Sequence, residues 1–188
     1  GYTEIPREIM QGYRLMADEA LAQWSGPPLT HAFVQGGVGG MAAAVSVQLR
    51  TLQPAPALVV VEPDRAACLL ASAAAGRLTA AGDLDTIMAG LACGKPSLIA
   101  WQELDRAAAA FLAIPDAAAI DAMRALAACG VVSGESGAAG LAGLLLAAAD
   151  PAARQALALD AASRVLLFST EGATDPALYA RLVPGGPA

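Results

Sequence analysis

Four glycines crowd into five consecutive positions of this chain: Gly36, Gly37, Gly39 and Gly40, with Val38 between the two pairs. Glycine lets the backbone approach a ligand closely and permits positive φ, so that successive N–H groups can turn toward one point. The residues before the run, 30–35, predict a buried strand, and the alanine-rich residues 41–49 after it predict a helix. A helix that begins there adds its free N–H groups and the positive end of its dipole. The sequence therefore predicts an anion cradle, most often for a phosphate.

The spacing of the glycines excludes two familiar nucleotide-binding motifs. No Gly-Lys-Ser/Thr follows the run, as a P-loop requires, and the pattern GG-x-GG differs from the dinucleotide-binding pattern G-x-G-x-x-G. An alternative interpretation is a tight turn between a strand and a helix that cross closely, with no ligand involved.

Two further turn-rich segments carry side chains that could do chemistry. In residues 133–137, Glu135 precedes a predicted helix, where a carboxylate is electrostatically favoured, so this residue either faces a ligand or belongs to a helix cap. Residues 169–172 begin with Ser169 and Thr170 and follow a predicted strand at 165–168. Ligands of open α/β sheets bind beyond the carboxyl ends of the strands. We therefore expect all three loops to gather at one edge of one parallel sheet, which favours a ligand site over a simple turn.

The apolar pattern predicts the elements that must position these loops. Residues 57–62 are continuously apolar and β-rich, which is typical of a strand buried on both faces of a parallel sheet. Together with the strand at 30–35 and the helix at 41–49 they form a right-handed βαβ unit. Asp64 is a plausible cap for the helix that follows. The pattern also predicts a loop at 80–96, a last buried strand at 165–168, a frayed end at 183–188, and helices at 5–23, 64–75, 101–111, 115–128, 138–149 and 151–158.

Composition limits the class of protein. The 188 residues are enough for one domain with a full core, 56% of them are hydrophobic and only 15% are charged. The net charge of −6, scattered basic residues and 4% aromatics disfavour nucleic-acid binding. No apolar run reaches the roughly 18 residues that cross a bilayer, and residues 1–5 do not resemble a signal peptide, so we expect a cytoplasmic protein. The sparse polar surface indicates a large interface with another chain or domain.

The cysteines and the single histidine indicate no metal site. Cys68, Cys93 and Cys129 lack metal-type spacing, and we expect buried free thiols, although a Cys68–Cys93 bridge is conceivable. His31 opens the strand that leads into the glycine loop, and we expect a strand-end residue there rather than a general base.

Five blocks of the chain resemble the fold type II pyridoxal-phosphate enzymes, the group of tryptophan synthase β and threonine dehydratase. The blocks are residues 9–13 (IMQGY), 33–40 (FVQGGVGG), 86–94 (TIMAGLACG), 133–137 (SGESG) and 169–172 (STEG). They span nearly the whole chain, and those at 86–94 and 133–137 are much more specific than the glycine loop. The resemblance implies an α/β fold of the tryptophan synthase β type, a three-layer open parallel sheet with helices on both faces. It also implies that residues 1–188 are mostly part of the large cofactor-binding domain, with pyridoxal 5′-phosphate as the cofactor.

The resemblance further implies roles for the matched residues. Ser169, with Thr170 as the second choice, would hydrogen-bond the pyridine nitrogen, and Glu135 would lie near the pyridine edge. Gly90, with Met88 and Ala89, would line the face near the reacting carbon. A neutral hydroxyl at the pyridine nitrogen suits α,β-elimination better than transamination. The cofactor phosphate would be held by the backbone N–H groups of Gly36, Gly37, Val38, Gly39 and Gly40.

The chain departs from the family pattern in one respect. Enzymes of this group use a Schiff-base lysine on the N-terminal side of the phosphate loop. No lysine precedes the loop here, and the only one, Lys95, occupies a loop position that we do not expect to serve. The catalytic residues are therefore unknown from this sequence. We expect the C-terminal part of a homodimeric enzyme, inactive without the missing N-terminal half.

The blocks are most similar to the ammonia-lyases of 2,3-diaminopropionate, which form pyruvate and ammonia by α,β-elimination. We therefore predict part of a pyridoxal-phosphate-dependent lyase with an amino-acid substrate. One alternative is a threonine or serine dehydratase. Another is a non-catalytic module that binds a phosphorylated metabolite through the same glycine loop; the missing lysine favours it, and the block at 86–94 argues against it.

Overall fold

The computed structural model describes residues 3–186. Its one sheet among these residues has four parallel strands in the order β3-β2-β1-β4. The strands are β1 (His31–Gln35), β2 (Ala57–Pro63), β3 (Ala108–Ile114) and β4 (Val165–Leu167). The helices are α1 (Glu4–Gln23), α2 (Gly40–Leu49), α3 (Cys68–Ala75), α4 (Leu98–Ala107), α5 (Asp116–Ala128), α6 (Ala139–Ala149), α7 (Pro151–Ala156) and α8 (Pro176–Leu182). None of the helices over these residues is both long and apolar enough to cross a membrane.

The two central strands explain the three layers. Alternate side chains of a strand project to opposite faces, so Phe33 and Val59 enter one apolar cluster while Val34 and Val60 enter the other. Helices α1 to α4 contribute to the cluster with Val34, and helices α5 to α8 contribute to the cluster with Phe33. The predicted α/β fold, an open parallel sheet with helices on both faces, is thus confirmed.

The order of the strands places a switch point beside β1. The chain runs from β1 to β2 to β3 with its connecting helices on one face, then returns to β4 on the other side of β1 with its helices on the opposite face. The connections that follow β1 and β4 therefore leave toward opposite faces and open a crevice at the carboxyl ends of these strands. Open α/β sheets bind ligands at such a crevice. The glycine loop follows β1, and residues 168–172 follow β4.

The predicted helix at 101–111 is wrong in its second half. Helix α4 ends at Ala107 and is followed at once by β3, which pairs with β2 so that Phe111 lies opposite Val60. Alanine has the highest intrinsic helix propensity, and the run of alanines at 107–110 predicts helix. Pairing with a buried neighbouring strand overrides that local preference.

Smaller differences concern the ends of elements. The predicted helix 64–75 begins as an α-helix only at Cys68, after a short 3₁₀ turn, and its cap is not Asp64 but Glu62, whose carboxylate accepts from Leu69 N at 2.7 Å and Leu70 N at 2.8 Å. Strand β4 is half-buried rather than buried, because it lies at the edge of the sheet. The predicted frayed end is wrong at Val183, which is buried, while 187 and 188 lie outside the described residues.

Candidate functional site

An open cavity of about 850 Å³ lies at the switch point. Its wall combines the glycine loop, residues 90–98, residues 170–174 and the apolar side chains of α1, among them Ile9 and Tyr13. Ligand sites of this size enclose most of the surface of a cofactor-sized molecule. The cavity is therefore large enough for the ligand class that the glycine loop predicts.

The carbonyl groups of the glycine loop are bonded to the protein. Gly37 O accepts from Cys68 Sγ at 3.7 Å, and Val38 O accepts from Ser97 N at 2.9 Å. Gly39 O accepts from Ala43 N at 2.9 Å, a bond that leads into α2. These bonds fix the peptide planes of the loop.

The N–H groups of the same loop are mostly unpaired. Within residues 3–186, the N–H groups of Gly37, Gly39 and Gly40 have no protein acceptor. Helix α2 begins at Gly40 and has no acidic residue in its first turn, so no carboxylate of that turn occupies its positive end. Gly36 differs, because its N–H donates to Val61 O at 2.7 Å and is used by the sheet. An anion at the loop would thus find three free amides next to a helix dipole.

Packing alone explains why glycine stands at two of these positions. Gly39 has φ of +93°, and a Cβ there would lie 3.1 Å from both Ala100 Cβ and Leu104 Cδ1. A Cβ on Gly36 would lie 2.6 Å from Val60 Cγ1. A tight strand-to-helix turn accounts for these glycines. The unpaired N–H groups are of the kind that a helix start leaves free, and here they lie at the open cavity, where an anion can accept from them.

Two thiols pack beneath the loop. A Cβ on Gly37 would lie 3.1 Å from Cys93 Sγ, and Cys68 donates to the carbonyl of the same residue. Both cysteines are free, as is Cys129, so the conceivable Cys68–Cys93 bridge is not formed. Burial raises the pKa of Cys68 to about 12, and burial also raises the pKa of Cys93. Both are therefore neutral thiols that pack against the loop rather than activated nucleophiles.

The loops at 86–94, 133–137 and 169–172 are bonded to one another. The Glu171 carboxylate accepts from Ser136 N at 2.6 Å and from Gly137 N at 3.3 Å, while Glu171 O accepts from Gly134 N at 2.9 Å. Ser136 Oγ in turn accepts from Gly90 N at 3.0 Å. These bonds bring the loops to the cavity wall, and the predicted gathering of 36–40, 133–137 and 169–172 at one edge of the sheet is confirmed.

The structure places the predicted site residues in two groups. Gly37, Val38, Gly39, Gly40, Gly90 and Thr170 line the cavity. Gly36, Glu135 and Ser169 do not line it. Ser169 Oγ donates to Ser133 Oγ at 2.8 Å, and Glu135 is buried with no hydrogen-bond partner within residues 3–186. The ligand contacts of all nine residues remain predictions.

Two residues at the cavity, Gln35 and Glu171, are not among the site residues that the sequence predicts. Gln35 ends β1, is buried, and donates through Nε2 to Phe168 O at 2.9 Å and to Thr170 Oγ1 at 3.0 Å. The sequence does carry a signal for Gln35, because a polar residue at the end of an apolar strand, directly before the glycine loop, indicates a role at the site. Glu171 lies inside a segment that was singled out, but its bonds to residues 134–137 depend on tertiary contact and have no sequence signal.

Lys95 lies at the cavity, whereas His31 lies far from it. Lys95 is exposed and lines the cavity. His31 lies at the far end of β1 from the glycine loop, where its Nε2 bonds to Leu157 O and its Nδ1 to Thr30 Oγ1, both at 2.8 Å. Within residues 3–186, no group of three or more histidine, cysteine, aspartate or glutamate side chains is placed to hold a metal ion.

Comparison with known proteins shows which family and which proteins this chain is similar to. The family model described as pyridoxal-phosphate dependent enzyme matches residues 4–171. The chain is 42% identical over 200 residues to a diaminopropionate ammonia-lyase of Escherichia coli strain K12, an alignment that covers 97% of this chain and 49% of that protein. The chain thus spans about half the length of the curated relatives it matches.

Solved structures give a similar result. A crystal structure of holo diaminopropionate ammonia-lyase from Escherichia coli superposes with a TM-score of 0.88 at 38% identity, over 97% of this chain and 49% of that one. The structure of a serine racemase from maize superposes with a TM-score of 0.78 at 22% identity, over 92% of this chain and 53% of that one, which bears on the fold alone.

Proposed function

This chain belongs to the pyridoxal-phosphate-dependent enzyme family, and on that premise we propose that it forms the phosphate-binding part of an ammonia-lyase that acts on 2,3-diaminopropionate. The observation that carries the proposal is the glycine loop, with its carbonyls bonded to the protein and the N–H groups of Gly37, Gly39 and Gly40 left without a protein acceptor within residues 3–186. Residues 1–188 would then belong mostly to the large cofactor-binding domain.

The residues present fit the cofactor at both of its ends. Free amides at the start of α2 suit a phosphate dianion, since both the N–H groups and the helix dipole favour negative charge. The segment 169–172 supplies neutral hydroxyls where the aromatic ring would lie, and Thr170 lines the cavity there. Pyridoxal phosphate supplies an electron sink that makes the Cα proton of a bound amino acid acidic.

The chain's own residues would direct that chemistry toward elimination. A neutral hydroxyl from Ser169 or Thr170 would donate a hydrogen bond to the ring nitrogen without giving it a full proton, which would favour loss of a β-substituent over transamination. Gly90, whose N–H is held by Ser136 Oγ, would leave room for the reacting carbon, because it has no side chain. Glu135 would lie at the ring edge. The apolar side chains of α1 would exclude water from the cavity.

The substrate and the assembly belong to the whole protein. Identity of 42% to a diaminopropionate ammonia-lyase supports 2,3-diaminopropionate as the substrate, with loss of its β-amino group to give pyruvate and ammonia. A threonine or serine dehydratase is the alternative enzyme. Turnover needs a cofactor-binding lysine, and the exposed Lys95 is not proposed for that role. A cytoplasmic homodimer is proposed, supported by the free cysteines and by exposed leucines on α6, Leu145 and Leu146.

Calorimetric titration of the full chain tests the proposal. We expect pyridoxal phosphate to bind at least about tenfold more tightly than pyridoxal, which lacks the phosphate, because charge-assisted hydrogen bonds to the loop are lost. Inorganic phosphate should compete, and Lys95→Ala should leave the affinity unchanged within about twofold. With 2,3-diaminopropionate and cofactor the chain alone should form no pyruvate.

Three outcomes would contradict parts of this account. Equal affinity for pyridoxal and pyridoxal phosphate would show that the glycine loop does not bind the phosphate group. Affinity for glycerol phosphate equal to that for pyridoxal phosphate would favour the non-catalytic phosphate-binding module. Capture of the cofactor by borohydride reduction at Lys95, abolished by Lys95→Ala, would show that the chain does hold its own cofactor-binding lysine.

A further inference from the structure

Gln35 is a buried amide in a wall of the cavity. It is the last residue of β1, its side chain is only 4% exposed, and it lies directly before the glycine loop. Its Nε2 donates to Phe168 O at 2.9 Å and to Thr170 Oγ1 at 3.0 Å. Gln35 therefore joins the end of β1 to the segment after β4, across the switch point.

The orientation of this amide is fixed by its neighbours. A backbone carbonyl can only accept, so Phe168 O requires the Nε2 of Gln35 and not its Oε1 on that side. The second N–H of Nε2 then reaches Thr170 Oγ1. The Oε1 atom is buried without a partner within residues 3–186. An unpaired buried polar atom is destabilising, and an apolar side chain of similar size would avoid that cost. The presence of an amide at this position is thus explained by its two N–H groups, which donate to Phe168 O and Thr170 Oγ1.

The hydrogen bond from Gln35 determines which way the hydroxyl of Thr170 can donate its proton. A hydroxyl has one proton to donate and two lone pairs that accept. Because Oγ1 accepts from Gln35, the proton of Thr170 must go elsewhere, and within residues 3–186 no protein group accepts it. Ser169 differs, because its Oγ donates to Ser133 Oγ at 2.8 Å, and Ser133 Oγ in turn donates to Gly134 O at 3.4 Å. Of these two neighbouring residues, only Thr170 lines the cavity.

We infer that Gln35 is a positioning residue that holds the Thr170 hydroxyl as a hydrogen-bond donor to an unprotonated aromatic nitrogen of the bound ligand. The inference rests on the proposed function, since it assumes that a pyridine ring occupies the cavity. It assigns the ring-nitrogen contact to Thr170 rather than to Ser169, and it adds Gln35 as a residue that acts on this contact through Thr170.

A pair of ligands isolates this contact. Pyridoxal phosphate and its deaza analogue, in which C–H replaces the ring nitrogen, carry the same phosphate and differ only at the predicted contact. Affinities of the full chain for both are measured by calorimetry. The wild-type chain should bind pyridoxal phosphate about tenfold more tightly than the deaza analogue. Gln35→Met and Thr170→Val should each remove that preference while changing the affinity for the deaza analogue by less than about twofold.

Conservative variants and thermal unfolding complete the test. Thr170→Ser keeps the hydroxyl and should keep the preference, and Ser169→Ala should keep it as well. The double variant Gln35→Met/Thr170→Val should be no weaker than either single variant, because both remove the same contact. Thermal unfolding of Gln35→Met shows whether the variant is folded, and Thr170→Val, at an exposed position, carries the test if it is not.

Several outcomes would overturn the inference. One is equal weakening of both ligands by Gln35→Met, which would show a merely structural role. Another is loss of the ring-nitrogen preference in Ser169→Ala but not in Thr170→Val. A third is a wild-type chain that binds pyridoxal phosphate and its deaza analogue equally tightly but binds pyridoxal more weakly. This result would refute the inference and would still support the phosphate cradle. A chain that binds pyridoxal as tightly as its phosphate would refute the proposed function itself.

Discussion

Replacing Gly39 by alanine is expected to lower the free energy of unfolding by about 2–4 kcal/mol and to abolish phosphate-dependent binding. Gly39 has φ of +93°, a conformation that strains any residue with a Cβ. The added Cβ would also lie 3.1 Å from Ala100 Cβ and Leu104 Cδ1 and 3.2 Å from Leu69 Cδ2. Relief of these contacts must shift the loop away from α4 and so move the amides that bind the anion. Urea unfolding and titration with pyridoxal phosphate measure the two effects.

Gly76 provides the matched control for this substitution. It also has positive φ, +63°, but nothing lies within 4 Å of a Cβ placed there, and it ends α3 away from the cavity. Gly76→Ala should therefore carry only the backbone strain, about 1 kcal/mol, with no change in ligand affinity. If Gly39→Ala matched Gly76→Ala in both stability and affinity, the loop would not be the constrained cradle described here.

Replacing Glu62 by alanine is expected to lower the free energy of unfolding by about 3–5 kcal/mol. Glu62 is 0% exposed, and the two oxygens of its carboxyl group accept from Leu69 N and Leu70 N at the start of α3. The substitution leaves one buried and one part-buried N–H group unpaired. It also opens a void beneath Gly36, whose Cβ position lies 3.5 Å from Glu62 Cγ. Urea unfolding at about pH 6, inside the window where the carboxyl titrates, measures the loss. A loss below about 1 kcal/mol would show that water replaces the carboxylate as the cap of α3.

The same residue predicts a pH dependence of stability. Burial raises the pKa of Glu62 from 4.5 to about 7, and the two backbone N–H bonds lower it by less. The folded chain therefore holds a proton that the unfolded chain releases between these values. The contribution of Glu62 to the free energy of unfolding is therefore largest below pH 4.5. This contribution falls by about 3 kcal/mol as the pH rises to about 7.

Glu62→Gln separates this effect from other carboxylates. Glutamine keeps the volume but does not titrate, so the difference in stability between wild type and variant should change across pH 4.5 to 7 and be constant above that window. The thiols of Cys68 and Cys93 near this carboxyl do not interfere, because burial raises the pKa of both. A difference that is the same at both ends of the window would show that folding does not raise the pKa of Glu62.

The sequence predicted the central part of the fold and of the site because the signals there are local. Continuous apolar runs predict β1 and β2, and glycines between a strand and a helix predict the loop at 36–40. Strand β3 was missed, because its alanines favour a helix when considered alone and become a strand only beside β2. Helix α8 was overlooked despite a local signal: Asp175 caps it by accepting from Leu178 N at 2.9 Å, and Pro176 is its first residue.

The details of the site depend on contacts between distant segments, which one sequence does not reveal. Gln35 and Thr170 are 135 residues apart in the chain, and their hydrogen bond determines which hydroxyl has a free proton. The family resemblance favours Ser169 over Thr170, but Ser133, which is 36 residues away in the chain, accepts the proton of Ser169. Likewise, Gly36 was grouped with the phosphate-binding glycines, although its N–H belongs to the sheet.

The central claim is that the unpaired amides of the glycine loop bind the phosphate of pyridoxal phosphate. Proton–nitrogen correlation spectra of the isotope-labelled full chain, recorded during titration with pyridoxal phosphate, test it most directly. The account predicts saturable downfield shifts of the amide protons of Gly37, Gly39 and Gly40, and no comparable shift of Gly36, whose N–H already donates to Val61 O, or of the distant Gly76. Unchanged amide protons at Gly37, Gly39 and Gly40 while Thr170 shifts on binding would contradict it.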